Sequence, residues 1–494
     1  MSRILTPRQP ISLALGRLLP ALLATGFWAS VSFAVTPDSI VCQSLGVDRF
    51  SLQRLSVSAA PPAVTFVLQI DGRPLTLRLE RVSIRKEGFR LLVQDAKGTL
   101  REIPAPPPET YRGTIDELAG ASVGGTVHGG SLTATIALAD GRVFCVQPLS
   151  ELEPDAESTL HAVYRADLGV VEGACPVHEA SQPIATDAGS QSQADGSLRI
   201  ADIAVDADFE YVGQNGGSTT STVNDIESLL NSVNVVYERD CDLRHRLATL
   251  IIRSANPDPY TSTDAVALYN ELRNHWNSAQ TGIERDLVHL MTGKELDGST
   301  IGYSAVGAVC NRSRAYGLSQ ARFTTNLARR IALVAHELGH NWNAVHCDGV
   351  SPCNIMCSTL GGCDFIGLPN FEPMGANAIR AFAATRTCLA PVPVAAQPGL
   401  GPGGIQLAAP GPNPFALRTH LEFFLPQTGS VRLDIFDVAG HRIASVVQGI
   451  ENAGWHSRSW NGVDERGARV GPGVFYARLE TPQGTRSRTL ILLR

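Results

Sequence analysis

At 494 residues the chain is too long for one ordinary domain, and about three are expected. Its 44% hydrophobic and 18% charged residues are those of globular material, which excludes a disordered or fibrous chain. A net charge of -6 gives neither the basic footprint of a nucleic-acid binder nor a polybasic membrane patch.

The N-terminus reads as an export signal, residues 1–34. Arg3, Arg8 and Arg17 precede the apolar run "LLPALLATGFWASVSFA", which ends in small residues at Ser32 and Ala34. The run is short for a membrane span and polar sequence follows it, so cleavage after Ala34 is expected in place of an anchor. No other segment is long and apolar enough to form a transmembrane helix. The expected product is secreted, soluble or attached to a cell surface. Export also places the ten cysteines in an oxidising compartment, where an even count points to disulfides.

Residues 35–185 are β-rich by pattern. Two β-prone runs in "VTFVLQIDGRPLTLRLE" meet at Asp71-Gly72, a hairpin signal, and "LTATIALADGRVFCV" repeats it around Asp140-Gly141. Residues 186–197 are polar and without periodicity, a linker. Over residues 198–390 the texture becomes α/β. "LRIADIAV", "LATLIIR", "DLVHLMTG" and "STIGYSAVG" suit strands. "NDIESLLNSVNVVYERD" puts Ile226, Leu229, Leu230, Val233 and Val236 on one helical face, and "DAVALYNELRNHW" is a second amphipathic helix. Residues 391–408 form a Pro/Gly-rich linker. Residues 409–494 carry short strands between Gly, Asn and Asp turns, the pattern of a small β-sandwich in which Trp455 and Trp460 pack. His289, His420, His441 and His456 have no metal spacing and are expected to be structural.

The chemistry concentrates in "VAHELGHNWNAVHCDG", residues 334–349. Leu327, Ile331, Val334 and Leu338 form one stripe of a helix, and His336 and His340, at i and i+4, project from the other side. Both imidazoles can bind one ion. Glu337 is placed to reach a water on that ion and not the ion itself, which is what zinc hydrolysis requires. For His346 to join them the chain must leave the helix after Trp342 and double back. That turn needs a residue at positive φ, where asparagine is the best-tolerated substitute for glycine, and Asn343 occupies it.

"HELGHNWNAVH" resembles the metzincin zinc signature, and Met356 in "CNIMCS" is similar to the methionine turn that underlies the metal in those enzymes. "IADIAVDADF", "VNVVYERD", "DLVHLMTG", "STIGYSAVG" and "FEPMGANAIRAFAATRTCL" follow the layout of reprolysin-like (adamalysin) catalytic domains over roughly residues 198–390. The resemblance implies a zincin fold with a mixed sheet and an active-site helix, one catalytic Zn2+ on His336, His340 and His346, and Glu337 as general base. It also implies an edge strand at "STIGYSAVG" that pairs with an extended substrate. The family usually has Asp directly after the third histidine, whereas here Cys347 precedes Asp348. Calcium is allowed, but no ligand cluster in the sequence supports it.

"YRGTIDELAGASVGGTVHGGSLTATIALADGRVF" and "LHAVYRAD" resemble the family's propeptide, so latency is implied. Cys175 is either a switch that occupies the open metal position or a disulfide partner, with Cys241 a candidate. Cys310 and Cys388 resemble the family's domain-closing bridge. Cys347, Cys353, Cys357 and Cys363 would make two more pairs in one of three connectivities, against a rival reading as a structural zinc site. Cys42 with Cys145 is the pairing expected inside the propeptide. Residues 409–494 are similar to the Ig-like domain of bacterial flagellar-hook capping proteins and to type IX sorting domains, which implies a role with secretion machinery or the cell surface. The expected protein is therefore multidomain: β-rich propeptide, α/β metzincin domain and C-terminal Ig-like β-sandwich. Its expected function is that of a secreted, zymogenic zinc endopeptidase acting on protein or peptide substrates. The alternatives are a catalytically silent, zinc-containing adhesion protein and an esterase or amidase on the same site.

Overall fold

The computed structural model describes residues 36–57, 61–166, 197–349, 353–359, 370–393, 405–407, 413–416, 418–425, 429–451 and 454–493. The signal at 1–34, Cys175, Cys363, residues 186–196 of the first expected linker and residues 394–404 and 408 of the second lie outside the described residues.

The apolar run of strand Leu243–Ile252 is buried on both faces over Leu247–Ile252, which a strand tolerates only inside a sheet covered on both sides. Strand Ser197–Ala207 runs parallel to it and, on its other side, parallel to Leu287–Met291. Tyr316–Ser319 continues the parallel order, and Gly302–Ser304 closes that end as a short antiparallel edge. Helices Thr219–Cys241, Ala265–Ala279, Leu327–Asn341 and Pro373–Ala384 accompany the sheet. Each starts where a side chain accepts a backbone N–H of the first turn: Ser218, Asp264, Asn326 and Glu372. Ile226, Leu229, Leu230, Val233 and Val236 are all buried, as their helical spacing predicts.

The strands of the N-terminal region are shared between two sheets. Most of its strands form an eight-stranded antiparallel sheet of their own, with the hairpin at Asp71-Gly72 in the left-handed region at both residues. Strand Arg85–Gln94, however, leaves that sheet and lies parallel to Leu243–Ile252, and Leu100–Ile103 pairs beyond it. The sheet under the functional helix therefore contains two strands from before residue 166. Sequence pattern could not show this, because a strand's alternation does not name its partner.

Polar contacts reinforce the junction. Arg112 pairs with Glu238 at 3.0 Å with both side chains 4% exposed, and Arg244 reaches the same carboxylate at 2.6 Å. Removing one partner of such a buried pair costs about 3–5 kcal/mol. Cys145, a buried residue of strand Val143–Pro148, corrects the expected Cys42–Cys145 bridge. Both thiols are free, with Cys42 exposed on helix Pro37–Leu45 and Cys145 inside the core, where burial pushes its thiol up to about 12.

The described residues between 405 and 493 form two further antiparallel sheets, of three and four strands, around one core that includes Leu421, Phe423, Leu433, Ile435 and Leu479. Trp460 packs edge-on against Phe415 and Phe475 and donates to the Val463 carbonyl. The side chains of Trp455 and His420 lie outside the described residues. His441 pairs with Asp437 at the surface, and His456 stacks on Phe423. No helix among the described residues is long and apolar enough to cross a membrane.

His289 is structural. It is fully buried in strand Leu287–Met291, its Nε2 2.9 Å from the Ser319 hydroxyl, and burial pushes it down to about 3. In the unfolded chain the same ring titrates near about 6.5, so between those values the unfolded state holds the extra proton. Its share of stability is complete above the unfolded value and is lost as pH falls towards the folded one. His289→Gln, which cannot titrate, should lose less melting temperature than wild type between pH 7 and pH 4 in calorimetry. Equal losses in the two proteins would clear His289 of that role.

Candidate metal centre

Helix Leu327–Asn341 carries the first two histidines. Its apolar stripe packs into the core, and the other side is covered as well: His336 is 2% exposed, His340 3% and Glu337 0%. The helix stops at Trp342, and Asn343 takes φ 74°. Its N–H still donates to the His340 carbonyl at 2.8 Å, and the Ala344 N–H donates to Gly339 at 2.9 Å, a left-handed terminus that reverses the chain. Loop residues beyond the edge strand then satisfy the carbonyls the helix leaves open. Gly307 N–H donates to His340, and Ala308 and Val309 N–H donate to Asn341. A Cβ on Gly307 would lie 2.6 Å from the Asn343 Oδ1, so glycine is what lets this loop close on the turn.

The reversal brings His346 back. The three Nε2 atoms lie 3.0–3.2 Å from one another. His336 Nδ1 is 2.6 Å from the Ile355 carbonyl, and His340 Nδ1 is 2.9 Å from that of Ala344. A carbonyl can only accept, so each Nδ1 carries the proton and each Nε2 presents a bare lone pair. Burial, ahead of the neighbouring rings, depresses His336 far below the usual range and His340 to about 4. Burial lowers His346 too, against the opposing charge of Asp348. The bare lone pairs of His336 and His340 thus converge with His346 Nε2 on one point, an arrangement suited to a cation. A tetrahedral ion at about 2.0–2.1 Å would space its ligands about 3.3 Å apart, close to what is found, and three nitrogens with an open fourth position suit zinc.

Met356 is fully buried beneath the helix. A Cβ on Gly339 would stand 2.6 Å from its sulfur, and its carbonyl accepts the N–H of Cys347, the residue after His346. Glu337 lies against Gly302 of the edge strand, where any side chain would collide with its carboxylate. Asp348, one place later than the family pattern, accepts the Ser358 N–H at 2.8 Å.

Several residues that hold the site escaped the sequence reading. Asn341 donates from its amide to the carbonyls of Ala305 and Tyr316 and so ties the helix to the edge of the sheet. His245 accepts from Trp342 Nε1 at 2.9 Å, and Tyr237 donates to the Ala335 carbonyl. Gly302 and Gly339 carried a readable signal, since a glycine inside a strand or helix marks a close approach. His245 carried none.

Among the cysteines, Cys310–Cys388 and Cys347–Cys353 are bonded, and Cys357 is bonded as well. That selects among the three connectivities and removes the rival zinc site, because bonded sulfurs have no thiolate to give. The other groupings of potential ligands among the described residues, Asp286 with Cys310 and Cys388 and Asp348 with Cys353 and Cys357, fail for the same reason. Cys241 is buried and free.

Residues 197–379 match the family model Reprolysin_5, Metallo-peptidase family M12. A "Zinc metalloproteinase/disintegrin" of Bitis gabonica is 28% identical over 183 residues, covering 36% of this chain and 53% of that protein. The chain thus spans about half the length of that curated relative. The crystal structure of metalloproteinase-II from Bacteroides fragilis is similar over 67% of this chain and 92% of that one, at 14% identity and a TM-score of 0.34.

The positive φ at position 343 makes a graded prediction. Asn343→Gly should keep about one zinc per chain and stay within about 1 kcal/mol of wild-type stability, whereas Asn343→Val should lose about 1–2 kcal/mol. Urea unfolding with metal analysis reads both, and a valine variant as stable as glycine would contradict the strained turn.

Proposed function

We propose, from the premise that residues 197–379 form an M12 reprolysin-family metallopeptidase domain, that this chain is a secreted, zymogenic endopeptidase that hydrolyses peptide bonds of extracellular proteins. M12 metalloproteases use zinc, and the observation that carries the reading is the convergence of three imidazole nitrogens, from buried His336 and His340 and half-buried His346, with Glu337 next to the first of them on the same helix.

His336, His340 and His346 hold the metal, with the Ile355 and Ala344 carbonyls fixing the tautomers of the first two. Zinc bound there supplies a Lewis acid for the scissile carbonyl and its attacking water. Glu337 takes the proton from that water and returns it to the leaving amine. Strand Gly302–Ser304 aligns the substrate: among the described residues it stands at the end of the sheet, paired with Tyr316–Ser319, where an extended peptide can lie alongside it. Gly302 keeps that strand close to Glu337, which places the peptide bond near the base.

The remaining parts follow the sequence reading. Residues 1–34 direct export, residues 35–185 confer latency with Cys175 as the switch, and the Ig-like residues 409–494 serve secretion or attachment.

Glu337→Ala should keep about one zinc and the wild-type melting temperature while casein hydrolysis drops by on the order of 10²–10⁴. Wild type should lose the same activity to 1,10-phenanthroline. Both are assayed after cleavage of the chain beyond Cys175: undiminished hydrolysis by the variant would remove Glu337 from the mechanism, and zinc without any hydrolysis in cleaved wild type would favour a silent binding protein. A separate measurement addresses latency. Uncleaved Cys175→Ala protein should hydrolyse casein faster than uncleaved wild type, and equal rates would make Cys175 a structural residue.

A further inference from the structure

We infer that the N-terminal body, residues 37–166, is a lasting subunit of the peptidase and not a detachable cover: cutting the chain between residues 167 and 196 would leave the two pieces bound. Three independent sets of contacts argue for this.

The first is the sheet. Arg90, Leu91, Leu92 and Val93 pair in parallel register with Thr249, Leu250, Ile251 and Ile252. Without them the most apolar strand of the peptidase sheet would become an exposed edge, which folded proteins avoid. The second is the core. Leu45, Leu91, Val143 and Tyr164 belong to the same buried cluster as Val233, Leu250 and Ile331, so the two segments do not have separate interiors at this junction.

The third is polar and reaches the functional helix. Gln147 accepts the Leu327 N–H at 2.9 Å and donates to Thr325, and Asn326, the helix cap, donates to the Leu45 carbonyl at 2.6 Å. The first turn of the metal-bearing helix is thus completed from the other segment. Gln94 donates to the carbonyls of Ala255 and Pro257 and accepts from Arg253. Arg85 Nη2 meets Glu227 Oε2 at 3.1 Å, and the Glu227 side chain is 2% exposed. Charges so buried stay buried only with their partners. Detachable covers bury polar, wet surfaces; this junction is built as a domain interior.

The inference is independent of the peptidase reading, since it concerns binding between two segments and would survive a failure of catalysis. The test uses the full chain with a site-specific protease sequence placed between residues 186 and 196. A Cys175→Ala background ensures that no disulfide to Cys241 replaces the contacts. After complete cleavage the two pieces should co-elute in equal amounts on gel filtration at micromolar concentration. Separate elution, whether the larger piece stays folded or precipitates, overturns the proposal. Glu227→Arg places like charges together at the junction and should speed separation at least about tenfold, and adding Arg85→Glu should restore binding. If the reversal leaves separation unchanged, the assigned junction is wrong and the proposal falls with it.

Discussion

The metal centre depends on two N–H groups being fixed on backbone carbonyls. As long as the Nδ1 atoms of His336 and His340 donate to Ile355 and Ala344, their Nε2 lone pairs must face inward, and metal binding needs no prior tautomer change. Each carbonyl belongs to a segment whose own position is over-determined. Ala344 lies in the turn that Asn343 makes possible, and Ile355 precedes Met356, which is wedged under Gly339. Helix, turn and methionine loop hold one another, so three separate segments fix the position of the metal-binding rings.

The same economy runs outward through the sheet. Helix Leu327–Asn341 is fixed at its C-terminal end by the loop after Gly302–Ser304 and by the His245–Trp342 contact, and at its N-terminal end by Gln147 and Leu45. One end is thus held by the peptidase segment and the other by the residues that precede it. The position of the histidine-bearing helix is a property of both.

The legibility of the sequence followed the range of the physics involved. The i, i+4 histidines, the helix stripe and the turn at Asn343 are decided within one or two turns of chain, and a reader of the sequence can see them. The Asp71-Gly72 hairpin is local in the same way. The insertion of Arg85–Gln94 beside Leu243–Ile252 is decided by pairing across more than a hundred and fifty residues, and alternation in either strand says nothing about it. His245 is illegible for a related reason: its role depends on a tryptophan that only the folded chain places 2.9 Å away. Cysteine pairing falls between these cases. The even count announced bonds, and geometry alone could choose Cys347–Cys353 and reject Cys42–Cys145.

The Cys310–Cys388 bond joins residues 78 apart, and the span between them contains the functional helix, all three histidines, Met356 and helix Pro373–Ala384. The working parts therefore sit inside a closed covalent ring. A ring has a use that a linear chain lacks: a single backbone break anywhere between the two cysteines opens the loop without producing two fragments. The nicked molecule keeps His336, His340, His346, Glu337 and Met356 on one connected framework, so one cut is not enough to disperse the site.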